Sequence, residues 1–172
     1  MTSHTFEQAP DTARVCIYGA HTTLDDDQVA ELTRHMDGFL AEWRSHGREI
    51  EPAWTLIHKQ FLVIAVDEAA MSLSGCSIDS MFRAVEEFGR KTSLDFSRSG
   101  NHIFYRDDGA QIRRIDRLAF SDQARQGAVD AETIVFNNAI LTLSEFRKGK
   151  WELPMRESWH MQAFGKSLQS TT

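Results

Sequence analysis

The stretch Leu73-Ser74-Gly75-Cys76-Ser77-Ile78-Asp79-Ser80 brings a thiol, three hydroxyls and a carboxylate together just ahead of an apolar pattern with helical spacing. A thiol at the mouth of a helix lies near unpaired backbone N–H groups and the positive end of the helix dipole, and both favour thiolate. Cys76 is therefore the candidate nucleophile or redox centre. Asp79 is placed to orient a partner, and Ser77 to hydrogen-bond an anionic ligand. The same residues have plain structural uses, with Ser77 as a helix cap, Gly75 as a turn and Cys76 as a small hydrophobe. A carboxylate at Asp79 also opposes thiolate formation. Catalysis through Cys76 thus requires a second cation, and His160 is the candidate.

Three other places carry polar chemistry. Asp67-Glu68 ends the apolar run Phe-Leu-Val-Ile-Ala-Val. Neighbours on a strand point to opposite faces, so the two carboxylates do not act as a pair, and Asp67 stands as a binding candidate. Asn137-Asn138 follows Ile-Val-Phe and either reads a ligand through Asn137 or closes a turn with one residue in the left-handed region. Ser158-Trp159-His160, with Trp151 and Pro154 before it, either lines a pocket through Trp159 or clamps the C-terminal segment onto the body. The seven histidines form no i, i+4 pair with another histidine or a cysteine, and there is no Cys-x-x-Cys, so no metal site is predicted. Gly165-Lys166-Ser167 ends like a phosphate-binding loop, but His160 stands where the leading glycine belongs. No G-x-G-x-x-G or G-x-S-x-G is present, and no cofactor is predicted.

Taken together, Trp43 with His46-Gly47, Asp67-Glu68, the run from Ser74 to Ser80, Val135-Phe136-Asn137-Asn138, and Trp151 to Pro154 with Ser158-Trp159-His160 resemble an uncharacterised bacterial family often labelled "ABC transporter ATPase". The resemblance spans residues 13 to 164 and implies no particular activity or catalytic residue. The label's chemistry is not written in the chain. Leu73-Ser74-Gly75 looks like the start of the transporter signature Leu-Ser-Gly-Gly-Gln, but Cys76-Ser77 follows it. Asp67-Glu68 precedes that loop where transporters place their acidic pair after it, and there is no phosphate loop. ATPase activity is not expected.

The elements that must hold these residues can be read from periodicity. Arg14 to Gly19 is β-rich. Thr23 or Asp25 caps a helix whose stripe is Val29, Leu32, Met36, Phe39, Leu40 and Trp43, with Gly47 as its stop. Residues 53–58 and 61–67 form a hairpin around Lys59-Gln60, the second strand covered on both faces. Ile78, Met81, Phe82, Val85 and Phe88 make a second amphipathic helix, and residues 102–106 and 111–115 flank an Asp-Gly hairpin. Further on, the sequence predicts a short helix near residues 120–126 and then an apolar run over 133–136. A helix opened by a Thr142/Glu145 capping box follows and stops at Gly149.

Through Arg106 the order is strand, helix, strand, strand, helix, strand. The fold expected is α+β, a single domain with a ferredoxin-like βαββαβ core and a C-terminal elaboration. The domain is expected over residues 13–164, between polar tails at 1–12 and 165–172. Of the 172 residues 41% are hydrophobic and 26% charged, a globular balance, and the formal net charge of −6 gives no reason to seek nucleic acid or anionic lipid. Arg113, Arg114 and Arg117 cluster, as a solvated strand and helix edge does. Two cysteines, no cationic-then-apolar leader and no apolar run near membrane length predict a soluble cytoplasmic protein. The function expected is a non-catalytic binding or interaction module, with a small ligand, a protein or a second copy as partner. The alternative is a small thiol-dependent enzyme or redox sensor using Cys76, His160 and Asp79.

Overall fold

Continuous apolar character over a strand covered on both faces defines the centre of the first sheet. The computed structural model describes residues 6–45, 48–49, 52–67, 75–97 and 102–168. The chain divides into two compact units, Met1–Ser97 with Leu141–Ser144, and Arg98–Ile140 with Glu145–Thr172.

In the first unit a 3-10 turn (Phe6–Gln8) precedes β1 (Arg14–Ala20) and α1 (Asp26–Glu42). A two-residue pair, β2 (Arg44–Ser45) and β3 (Arg48–Glu49), leads to β4 (Pro52–Ile57), β5 (Phe61–Val66), α2 (Gly75–Thr92) and β6 (Phe96–Ser97). The antiparallel sheet has the order β4-β5-β1-β6. All six residues of β5 are buried, as its sequence requires. Tyr18, Ala20, Leu62, Ile64 and Val66 share one face. They pack with Leu32, Met36 and Leu40 of α1 and with Met81, Val85 and Phe88 of α2, so both helices cover the same side. Asp25 caps α1 through a complete capping box: its carboxylate accepts the Gln28 amide and Gln28 Oε1 accepts the Asp25 amide. The helix ends at Glu42 with Trp43 as its C-cap, and the expected stop at Gly47 lies outside the described residues.

Two differences from the sequence reading have physical causes. The strand beside β1 at its C-terminal end is β6, through Gly19↔Ser97 and Ala20↔Phe96, and not residues 102–106. A two-residue strand carries no readable periodicity, whereas residues 102–106 do, and they pair elsewhere. The other end of β1 is met by a late segment: Val15 N–H donates to the Leu141 carbonyl, Arg14 bridges Thr142, and Leu143 N–H donates to the Ala13 carbonyl.

The second unit holds β7 (His102–Arg106), β8 (Ile112–Asp116), α3 (Arg117–Arg125), β9 (Ile134–Phe136), α4 (Leu143–Arg147, begun in the first unit), β10 (Glu152–Pro154), a 3-10 turn (Met155–Glu157) and α5 (Trp159–Leu168). Its antiparallel sheet has the order β10-β9-β7-β8. Ile103, Tyr105 and Val135 on one face pack with Phe120 and Ala124 of α3 and Phe164 of α5. The last helix continues past Gly165, so the residues expected to begin a polar tail are its final turn. Among the described residues no helix is long and apolar enough to cross a membrane.

The β7–β8 turn contains Asp-Gly, but the residue in the left-handed region is Ala110, at φ 59°. Asp107 organises the turn: its carbonyl accepts the Ala110 amide and its carboxylate accepts the Gln111 amide. An L-residue with a Cβ costs about 1–2 kcal/mol there and glycine does not. Ala110→Gly is therefore expected to stabilise the protein by roughly 0.5–1 kcal/mol, after the entropy glycine adds to the unfolded chain. The urea midpoint should rise; a fall would show that the turn gains from the methyl group.

Candidate functional site

The residues singled out for chemistry, Asp67 aside, lie in three places in the fold. The first is the N-terminal turn of α2. The helix starts at Gly75, two residues earlier than the cap expected at Ser77, so Ser77 lies inside the first turn and is buried. The Trp43 indole N–H reaches that turn, 3.3 Å from the Ser77 carbonyl and 3.0 Å from Ser80 Oγ. Ser80 Oγ in turn donates to the Ser77 carbonyl at 2.8 Å. The C-cap residue of α1 is thereby tied to the opening of α2, and further along His35 Nε2 donates to the Ala84 carbonyl at 2.8 Å. Cys76 and Asp79 are exposed on this turn, and the Asp79 carbonyl accepts Arg83 Nε at 3.3 Å. Asp67 is partly buried just past the end of β5; Glu68 and Ser74 lie outside the described residues.

The second cluster is the end of β9. Trp151 is buried, stacked at 5.2 Å on Phe146 and tilted at 5.1 Å against Phe136. Its indole N–H donates to Asn138 Oδ1 at 2.9 Å, and its carbonyl accepts the Asn137 amide at 2.6 Å. Asn137 Oδ1 accepts the Ala139 amide at 3.2 Å, a local turn closed by the side chain. Neither asparagine takes a positive φ, because that side-chain bond closes the turn without a left-handed residue. The Asn pair and Trp151 do come together, as each other's packing partners.

The third is the start of α5. Ser158 precedes the helix, its hydroxyl 2.7 Å from His160 Nδ1, and both residues are buried. The imidazole stacks on Trp159 with ring centroids 4.0 Å apart and packs at 6.4 Å from both Phe120 and Phe164. Arg117 on α3 lays its guanidinium over Trp159 at 5.2 Å and over Phe164 at 5.3 Å. Burial, and secondarily the positive charge of Arg117, push the His160 pKa down from its usual value to about 4. At neutral pH it is an uncharged aromatic plate hydrogen-bonded to Ser158.

Cys76, Asp79, Ser77 and Asp67 therefore belong to the first unit, and His160, Trp159 and Asn137 to the second, where Asn137 and His160 engage different partners. A depression of about 360 Å³ beside the C-terminal end of α2 has Gly89, Leu94 and Phe96 as its floor and Glu86, Arg90 and Asp95 on its exposed rim. Both charge signs line it, and none of the predicted site residues does. Within its lining the backbone approaches closely, since a Cβ at Gly89 would lie 2.4 Å from the Leu94 carbonyl oxygen. Among the described residues no group of three His, Cys, Asp or Glu side chains is placed to hold a metal ion. No family model, no curated protein and no solved structure matches the chain.

Proposed function

We propose that the chain is a soluble, cytoplasmic, non-catalytic binding or interaction module, with a ferredoxin-like βαββαβ core in its first unit and an elaboration in its second. The order β4-β5-β1-β6, with α1 and α2 on one face, supports the core reading. Counting the core strands in sequence, it runs second, third, first, fourth, as that topology does. The observation that carries the functional reading is the fate of His160. A thiol enzyme on Cys76 needs a cation beside the thiolate, or a basic ring on an accessible surface where the thiol can meet it. His160 is 1% exposed, stacked on Trp159, bonded to Ser158 and uncharged at neutral pH. Those are the attributes of a packing residue. Ser77 is buried, with its backbone carbonyl accepting from Trp43, and the Asn138 side chain is committed to Trp151.

The absence of a phosphate loop supports a chain that is not an ATPase, and titration with magnesium and ATP is expected to give no saturable heat. Saturable micromolar binding would overturn that part. The partner is a small molecule or a protein rather than nucleic acid, in keeping with the net charge of −6.

The exposed thiol of Cys76 favours one second reading, a redox sensor, and a single experiment separates the two. Iodoacetamide alkylation of Cys76 is followed from about pH 6 to about pH 9 in a Cys16→Ser background, with and without His160→Phe. The module reading expects rates that agree within about twofold at every pH. A rate at about pH 6 that falls more than about tenfold in the His160→Phe protein would give His160 a role in activating the thiol and overturn it.

A further inference from the structure

We propose that α5 is an acid-released latch, in which uptake of one proton by His160 frees the helix from α3 while the second sheet stays folded. The geometry supplies both halves of the device. The imidazole is enclosed by Trp159, Phe120 and Phe164, with the Ser158 hydroxyl as its polar contact. A charged ring in that place loses its hydration and meets a guanidinium. The charged and titratable groups around it offer no compensation. From α3 comes Arg117, a like charge; the 3-10 turn carries Arg156 and Glu157, exposed and paired with each other, with Arg156 also bonded to Glu132; α5 itself adds Lys166, exposed. Burial and Arg117 are what lower the His160 pKa, and both act against the imidazolium.

The helix can leave without dismantling the sheet. α5 is joined to α3 by the Phe164–Phe120 edge contact at 5.0 Å, the Arg117 stack and the Ser121 Oγ···Ser167 Oγ bond at 2.9 Å, and to the sheet face by Phe164 in the cluster of Ile103, Tyr105 and Val135; none of these contacts is a strand ladder. Met155, fully buried, lies before α5 and can stay in place. Release would uncover Phe164, which is buried in the folded protein, and the covered part of Met161.

Amide hydrogen exchange on the intact chain, corrected for the intrinsic pH dependence of exchange, tests this. With an open-state histidine near 6.5 and a closed-state value of about 4, α5 protection should fall roughly twenty-fold between about pH 7 and about pH 5, while β7 and β9 hold theirs. The fall should disappear in His160→Phe, which keeps an aromatic plate, and in His160→Gln, should the first fail to fold. Protection in α5 that stays flat in the wild type, or falls only together with β7 and β9, overturns the latch. So does a fall of equal size in either variant.

Discussion

Ending the chain at Pro154 is expected to abolish the cooperative folding of the second unit. The cut removes Met155, Phe164 and His160, all buried, together with Trp159 and its stack. It also leaves Phe120, buried at the centre of that cluster, without its partners at 5.0 and 6.4 Å. Losing one buried methionine costs about 2–5 kcal/mol and one buried phenylalanine about 3–5 kcal/mol. Together these approach the whole stability of a small domain, about 5–15 kcal/mol. Urea denaturation followed by circular dichroism should show part of the amplitude missing at zero denaturant. A full-amplitude transition with an unchanged midpoint would make the segment after Pro154 an appendage rather than a core element. The acid release of α5 differs from this cut because Met155 remains in place.

Trp43→Ala is expected to cost the first unit about 3–5 kcal/mol, the scale for emptying a buried aromatic site. Trp43 packs with Phe39 at 5.9 Å within the main cluster of α1, α2 and the first sheet. Its N–H is also the tie to Ser77 and Ser80. Trp43→Phe separates the two contributions: most of the apolar burial survives and the donor is lost. It should cost about 1–2 kcal/mol, the usual scale for a hydrogen bond removed from a partly buried acceptor. Equal losses in the two variants would mean that the polar tie governs, and no loss in Trp43→Phe that it contributes nothing. By the same reasoning Gln60→Ala should cost about 1–3 kcal/mol, measured by urea denaturation. Gln60 is buried and its side chain donates to the Ala20 carbonyl at 3.0 Å. That bond fastens the β4–β5 turn, whose His58 and Lys59 both have positive φ, to the end of β1.

The parts of this fold that announce themselves in sequence are those with a long period or a strong cap. α1 follows its stripe and its capping box at Asp25 and Gln28, and β5 follows its apolar run. β6 has two residues and no pattern of its own; its place beside β1 is decided by Gly19 and Ala20, far earlier in the chain. Ser77 looks like a cap because it is a serine before an apolar stripe, yet the helix extends back to Gly75, a start that periodicity in the apolar residues does not mark. The motif stretches were legible as unusual but not as partners. Trp43 meets the turn of Ser77 and Ser80, and Asn138 meets Trp151, through contacts that only the folded chain defines. His160 is the sharpest case, since nothing local in Ser-Trp-His tells an exposed acid–base group from one sealed by Phe120 and Phe164.

The seal on His160 has a thermodynamic sign. Its folded pKa lies below the unfolded value of about 6.5, so the stability it contributes is fully present above that pH. That contribution is lost as pH falls toward the folded value, with about 3 kcal/mol at stake across the interval.

Both the binding-module reading and the latch require an imidazole committed to packing. The most direct measurement is the titration of the His160 ring in the intact protein by nuclear magnetic resonance, read at its carbon-bound protons while the chain remains folded. The expected result is a ring that stays neutral through mild acid, with a midpoint at about 4. A midpoint at the ordinary histidine value of about 6.5 or above would contradict both, because it would describe a solvated or acid-paired imidazole free to do chemistry.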